Sequence, residues 1–304
     1  MIRSRLFFYF MLTLAMMTWG VSWASGKFLA GREAPEILLF FRFLFTFISL
    51  IPLVYIFEKN FKLNKNAIKF IVLGGIFMSG YNYLFFMGLH NGLAGAGGVL
   101  VTTMNPVLTF IIASGINRYK PVKKEIAGLL IGIAGGMIMI HIWQVSWADL
   151  IHSGNLYLLG ASFTWAFMTL TSQYSGKSIP ILKFTMYVHA VAAAISFIPA
   201  STSSWSTVFN QPSFFWWNIL YLSIISTSFG TTIYFAASRS LGSKAASSFI
   251  FIVPLTALFS GVIFLKETPG LYIIFGGALS LTAVYLLNFK KDKIKGLSLS
   301  PNAE

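Results

Sequence analysis

Residues 93–106 read LAGAGGVLVTTMNP, and 148 positions further on residues 241–254 read LGSKAASSFIFIVP. Each stretch opens on a leucine followed by small residues and closes on a proline. The correspondence extends outward without a gap: under the same shift residues 88–140 overlie 236–288, which places Leu93 on Leu241, Pro106 on Pro254, Arg118 on Lys266, Pro121 on Pro269 and Gly128 on Gly276. A shift of 146 brings Thr18–Trp19 onto Thr164–Trp165, and Ser25–Gly26–Lys27 returns as Ser175–Gly176–Lys177 with four residues inserted between. Single matches of Gly, Leu or Pro carry little weight in apolar sequence. Their shared order and nearly constant offset mark an internal repeat.

The medium in which that repeat folds follows from composition. Only 10% of the 304 residues are charged, 56% are hydrophobic and the mean hydropathy is +0.75, against roughly 25% charged and 45–50% apolar in soluble domains. A water-soluble globular protein is excluded. A bilayer core of about 30 Å needs some 20 apolar helical residues, because other backbone conformations leave polar groups bare in lipid. Ten runs meet this: 6–26, 35–57, 67–89, 94–116, 125–143, 153–173, 180–200, 213–237, 244–265 and 270–289. The first run is longer than a signal-peptide core and nine others follow, so it reads as a transmembrane helix. With no cysteine in the chain, disulfides and thiolate chemistry are excluded.

The net charge of +14 is a statement about orientation. With the amino terminus inside, 18 of the 22 basic residues fall on the inner side, including Lys59, Lys62, Lys65 and Lys69, Arg118 to Lys124, and Lys290 to Lys295. Lys27, Arg32 and Lys266 fall outside, and Arg42 lies within a helix. Cytoplasmic loops carry the Lys/Arg excess, so both termini are expected in the cytoplasm and no nucleic-acid partner is expected. Ten helices split five and five, and an odd number per copy inverts the second copy in the membrane. The expected fold is therefore an all-α polytopic membrane protein with an inverted 5+5 repeat: residues 1–148, 149–290, and a cytoplasmic tail 291–304. Such pairs give alternating access when the two copies exchange conformations.

These elements resemble the drug/metabolite transporter superfamily, specifically its ten-helix EamA-like family. The resemblance rests on Thr18–Trp19–Gly20 and Thr164–Trp165–Ala166, on the small-residue stretches leading to Pro106 and Pro254, and on Lys266–Glu267–Thr268–Pro269 followed by Gly276. It covers nearly the whole chain. One departure is local: at the first-repeat turn Tyr119 stands where the family has Glu, and Glu125 comes later. The resemblance implies secondary transport of small metabolites, often export of amino acids or related solutes, in a bacterial inner membrane.

Polar and aromatic groups at mid-span locate a candidate site, since such groups are costly in hydrocarbon and turn toward a cavity or a partner. Asn105 and Pro106 fall at the middle of the fourth span, and Pro254 is the counterpart of Pro106 in the ninth; each proline removes a backbone donor and marks a kink or gate. Trp19 and Trp165 lie near the centres of the first and sixth spans, away from the interfacial belts where Trp usually sits. They read as facing cavity walls or as packing between helices. Tyr81, Asn82 and Tyr83 cannot share one helical face, so one or two of them should line the cavity. Asn82 is the first choice and Tyr83 is carried as a further candidate. Arg42 and His189 are the embedded ionisable groups, with an interface anchor or a bond to Glu36 as the alternative for Arg42 and a helix-to-helix hydrogen bond for His189. Trp143, Trp147, Trp205, Trp216 and Trp217 read as an outer interfacial belt.

No Asp or Glu falls at mid-span. A carrier of organic cations needs a carboxylate there for which substrate and proton compete, so a neutral, zwitterionic or anionic small-molecule substrate is expected, its charge met by Arg42, His189 or amides. The leading expectation is export of an amino acid or aromatic metabolite. Import or exchange of an anionic or zwitterionic metabolite is the alternative, and a membrane-embedded transferase is the distant one. That last class needs clustered Asp for metal chemistry, whereas the only aspartates are Asp149 and Asp292. No cofactor, metal or catalytic residue is implied, and the chain is compatible with a monomer or a homodimer.

Overall fold

The computed structural model describes residues 2–91, 94–139, 142–144, 146, 148, 154–257 and 271–288. Among these every regular element is helical. They are α1 (Ile2–Ala30), α2 (Pro35–Glu58), α3 (Lys65–Asn91), α4 (Ala94–Ile116), α5 (Lys123–Met139), α6 (Asn155–Ser175), α7 (Ile181–Ala200), the short α8 (Trp205–Phe209), α9 (Ser213–Leu220), α10 (Thr232–Leu241), α11 (Ser243–Ser248) and α12 (Leu271–Asn288). Five helical runs are long and apolar enough to cross a membrane: residues Arg5–Ala30, Pro35–Glu58, Lys65–Asn91, Ile181–Ala200 and Ser213–Leu241. Trp147, Asp149, the turn at 266–269 and the basic cluster from Lys290 onward lie outside the described residues.

Local chemistry sets the ends and breaks. Pro35 opens α2, where its missing N–H costs nothing, and Lys59 closes it in the left-handed region at φ 56°. At the start of α5 the Glu125 carboxylate accepts the Val122 N–H at 3.0 Å and the Tyr119 hydroxyl at 2.7 Å. Glu125 and Tyr119 thus close this turn on each other. That hydrogen bond to the carboxylate, with some burial, raises the Tyr119 phenol pKa above its usual value. The Lys244 ammonium lies 3.3 Å from the centre of the same ring, tying α11 to the α4–α5 turn.

The two repeat prolines behave differently. Pro106 sits inside α4, which continues through it. Ahead of Pro254 the chain tightens to a 3₁₀ turn over Phe249–Ile252, consistent with the missing N–H that an α-helix would direct to the Ile250 carbonyl. A larger departure lies between α9 and α10, where Tyr221–Thr231 is π-helical. There Thr227 and Ser228 hydroxyls donate to carbonyls five residues back, Leu222 at 2.7 Å and Ser223 at 3.0 Å.

Packing pairs α2 with α7, α3 and α4 with α6, and α5 with α12, while α1 lies against the π segment, α10 and α3. The glycine stripe of α5 is used inside the molecule: a Cβ at Gly135 would stand 2.8 Å from the Gly276 carbonyl oxygen. Trp143 and Trp217 are exposed, as a belt requires, but Trp205 and Trp216 pack on Phe41 at 5.7 and 5.2 Å.

Candidate functional site

A cavity opens at mid-length where α1, α2, α3, α6 and the π segment converge. It is lined by Trp19, Ser22, Trp23, Arg42, Met78, Tyr81, Asn82, Phe85, Trp165, Ser226, Thr227 and Thr231. Four of the residues proposed from sequence, Trp19, Arg42, Asn82 and Trp165, meet here although they lie as far apart as 146 positions in the chain. The space left for centres of water molecules is about 40 Å³, room for roughly three waters at 10–15 Å³ each. A solute of metabolite size enters only if the surrounding helices move apart.

One wall is aromatic. Trp19 and Trp165 meet edge to face, centroids 5.1 Å apart at 83°, and Tyr81 and Tyr234 pack on Trp165 at 4.6 and 5.4 Å. The Trp19 indole N–H donates to the Ser226 carbonyl at 3.0 Å, anchoring α1 to the π segment, and the Tyr221 hydroxyl donates back to the Thr18 carbonyl at 2.8 Å. Trp165 Nε1 is buried and makes no well-aligned hydrogen bond among the described residues.

The polar wall centres on Arg42, about 10 Å below the start of α2 at 1.5 Å per residue. Its Nε and Nη2 donate to the Thr227 hydroxyl at 3.2 and 3.1 Å, and Thr227 in turn donates to Leu222. Glu36 accepts from Ser203 instead, so it does not pair with Arg42. A guanidinium has five N–H donors, and three of Arg42's find no acceptor among the described residues. Across the cavity Asn82 donates to the Met78 carbonyl at 3.0 Å, while its own carbonyl oxygen is buried without a partner. The site thus offers three free donors on a positive group and one free amide acceptor, against an aromatic wall.

The other sequence candidates lie elsewhere. Tyr83 is 44% exposed on the outer face of α3, and its neighbour Tyr81 takes the inward position. Asn105 is buried in α4, its carbonyl oxygen without a partner among the described residues, and it is not part of the cavity lining. His189 is wholly buried in α7. Pro106 and Pro254 are likewise buried and do not line the cavity. Sequence reasoning missed Trp23 and the π-segment hydroxyls Ser226, Thr227 and Thr231. The signal was present as six hydroxyl residues in the ten positions from Ser223 to Thr232.

Comparison with known proteins now adds to this geometry. The profile of the EamA-like transporter family matches residues 6–141 and 152–289. The chain belongs to the EamA-like transporter family. Among relatives, the uncharacterized transporter YyaM of Bacillus subtilis (strain 168) is 27% identical over 82% of this chain and 83% of its own length. The uncharacterized transporter YoaV of the same organism is 25% identical over 92% and 96%. A crystal structure of a protein with 15% identity superimposes with a TM-score of 0.73, covering 93% of this chain and 97% of that one, which shows a common fold. With its long apolar helices, this EamA-like chain is a multi-pass membrane transporter.

Proposed function

We propose that this EamA-like transporter carries a small organic solute bearing a carboxylate, an amino acid or an aromatic acid, across a bacterial inner membrane by alternating access. The observation that carries the reading is Arg42: a guanidinium in the cavity, with three free donors and no carboxylate bonded to it among the described residues. An isolated cation in low dielectric is strongly disfavoured, and a substrate carboxylate supplies both the charge and the acceptors that the protein withholds. The free Asn82 carbonyl suits an ammonium, and the Trp19–Trp165 wall suits a planar side chain. The two family matches, 6–141 and 152–289, support reading the chain as two halves, residues 1–148 and 149–290. In this reading ten helices form an inverted pair with both termini cytoplasmic, and the small cavity is a closed state between the two openings. The residues that line the cavity here come from one copy, which suits a monomeric carrier or a homodimer of independent carriers.

The test is a matched ligand series on the purified protein: L-phenylalanine (zwitterion), N-acetyl-L-phenylalanine (anion) and L-phenylalaninamide (cation), with quenching of tryptophan fluorescence as readout. The two carboxylates are expected to bind and the amide is not. Arg42→Gln should weaken carboxylate binding by about 30-fold, the loss of a charge-assisted hydrogen bond worth about 2 kcal/mol. Binding confined to the amide overturns the proposal.

A further inference from the structure

Asn82 faces the cavity from the ladder Met78, Tyr81, Asn82 and Phe85, whose spacing of three and four residues puts them on one side of α3. Its side chain is 2% exposed. The turn before it fixes which way the amide points: Nδ2 lies 3.0 Å from the Met78 carbonyl oxygen and 3.3 Å from the Met78 sulfur. Both of those atoms are acceptors, and an amide turned the other way would set its own oxygen against them. Oδ1 is therefore the end left over, buried and with no hydrogen-bond partner among the described residues.

Leaving a buried acceptor unmet costs about 1–3 kcal/mol, and donors around the cavity are engaged elsewhere. The Ser22 hydroxyl donates to the Trp19 carbonyl, the Thr227 hydroxyl to the Leu222 carbonyl and the Trp19 indole to the Ser226 carbonyl. Water in an empty cavity satisfies such an atom. A solute that fills the cavity expels the water, and Oδ1 then depends on the solute itself.

We propose that Asn82 is a specificity determinant: it selects carboxylates that carry an N–H or O–H donor on the carbon next to the carboxylate over those that carry none. The inference rests on reading Arg42 as the carboxylate anchor, and it narrows the amino acids and aromatic acids of that reading. 2-Amino, 2-acylamino and 2-hydroxy acids supply the donor. 2-Keto acids present a second acceptor instead, and unsubstituted alkanoates present nothing. Room for roughly three waters matches three polar atoms, two carboxylate oxygens toward Arg42 and one donor on the adjoining carbon toward Asn82. A site that must lose a hydrogen bond to accept the wrong solute discriminates better than one that only makes room for it. The requirement is for a hydrogen rather than a positive charge, since the amide oxygen is neutral and Arg42 already supplies the cation.

The experiment compares two ligands of one shape and one charge: N-acetyl-L-phenylalanine and its ester counterpart O-acetyl-L-3-phenyllactate, in which an oxygen replaces the N–H. Calorimetric titration of the purified protein gives the Kd of each. Wild type should bind the N–H ligand about 10- to 100-fold more tightly, the range expected for an unmet buried acceptor. Asn82→Leu, which keeps the volume and removes the acceptor, should bind the two within about threefold of each other, whereas damage to the site as a whole weakens both and preserves their ratio. Equal binding by wild type, or a ratio that persists in Asn82→Leu, overturns the role of Asn82 and leaves Arg42 standing. Binding of neither ligand overturns the Arg42 reading and this inference with it. If Asn82→Leu fails to fold, Asn82→Ala takes its place with the same ratio deciding, and the wild-type ratio decides alone if both fail.

Discussion

Trp19 joins the two materials of the cavity wall. Its ring packs against Trp165 and Tyr234, and its N–H holds the Ser226 carbonyl of the π segment. These contributions separate by substitution. Trp19→Phe keeps most of the ring contact and loses the hydrogen bond, so it should cost about 1 kcal/mol, whereas Trp19→Ala should cost about 3–5 kcal/mol through the cavity it leaves. Denaturant unfolding of both variants in detergent checks this, and equal losses would show that the hydrogen bond dominates. Trp19 could be picked out from sequence because an indole at mid-span is out of place in hydrocarbon. Tyr81 and Tyr83 could not be told apart that way: at 100° per residue they point about 160° apart, and only the rotation of α3 against its neighbours puts Tyr81 inside and Tyr83 on the outer face.

At the scale of elements, α5 and the π segment are put to different uses. α5 is a close-packed strut: its glycines let it approach α12 until Gly135 faces the Gly276 carbonyl. Gly135→Ala should therefore destabilise by about 1–3 kcal/mol, the usual cost of forcing extra volume into packed structure. Gly115→Ala in α4, where an added Cβ meets nothing within 4 Å, should leave stability within about 0.5 kcal/mol. Paired thermal melts make the comparison, and equal melting points would deny the strut. The π segment instead supplies hydrogen-bond acceptors to its neighbours. Its i→i+5 bonding widens the helix, and its carbonyls at Ser223 and Ser226 also accept from Thr46 and Trp19. The long apolar span containing it was plain from hydropathy. The π geometry was not, because hydropathy averages over the hydroxyls whose bonds to carbonyls five residues back accompany it.

At the scale of the molecule, orientation and site depend on different physics. The 18-to-3 division of basic residues predicts that the 59–64 loop is cytoplasmic and the 201–204 turn is outside. A chain without cysteine is suited to the test: in intact cells a membrane-impermeant maleimide should label Ser201→Cys and spare Lys62→Cys until the cells are opened, and the reverse pattern would invert the molecule. Membrane character and the placement of the long spans were determined by sequence alone, because lipid solvates each segment according to its own side chains and leaves the backbone no choice but helix. Trp19, Arg42, Asn82 and Trp165 were visible for the same reason, each being too polar for the depth at which it lies. Which groups share one cavity was decided only by tertiary structure. That depends on how each helix is rotated about its axis, a property set by neighbours distant in sequence, such as Thr227, 185 positions from Arg42, and Ser226, 207 positions from Trp19. The same rotations kept Asn105 and His189 buried outside the cavity lining.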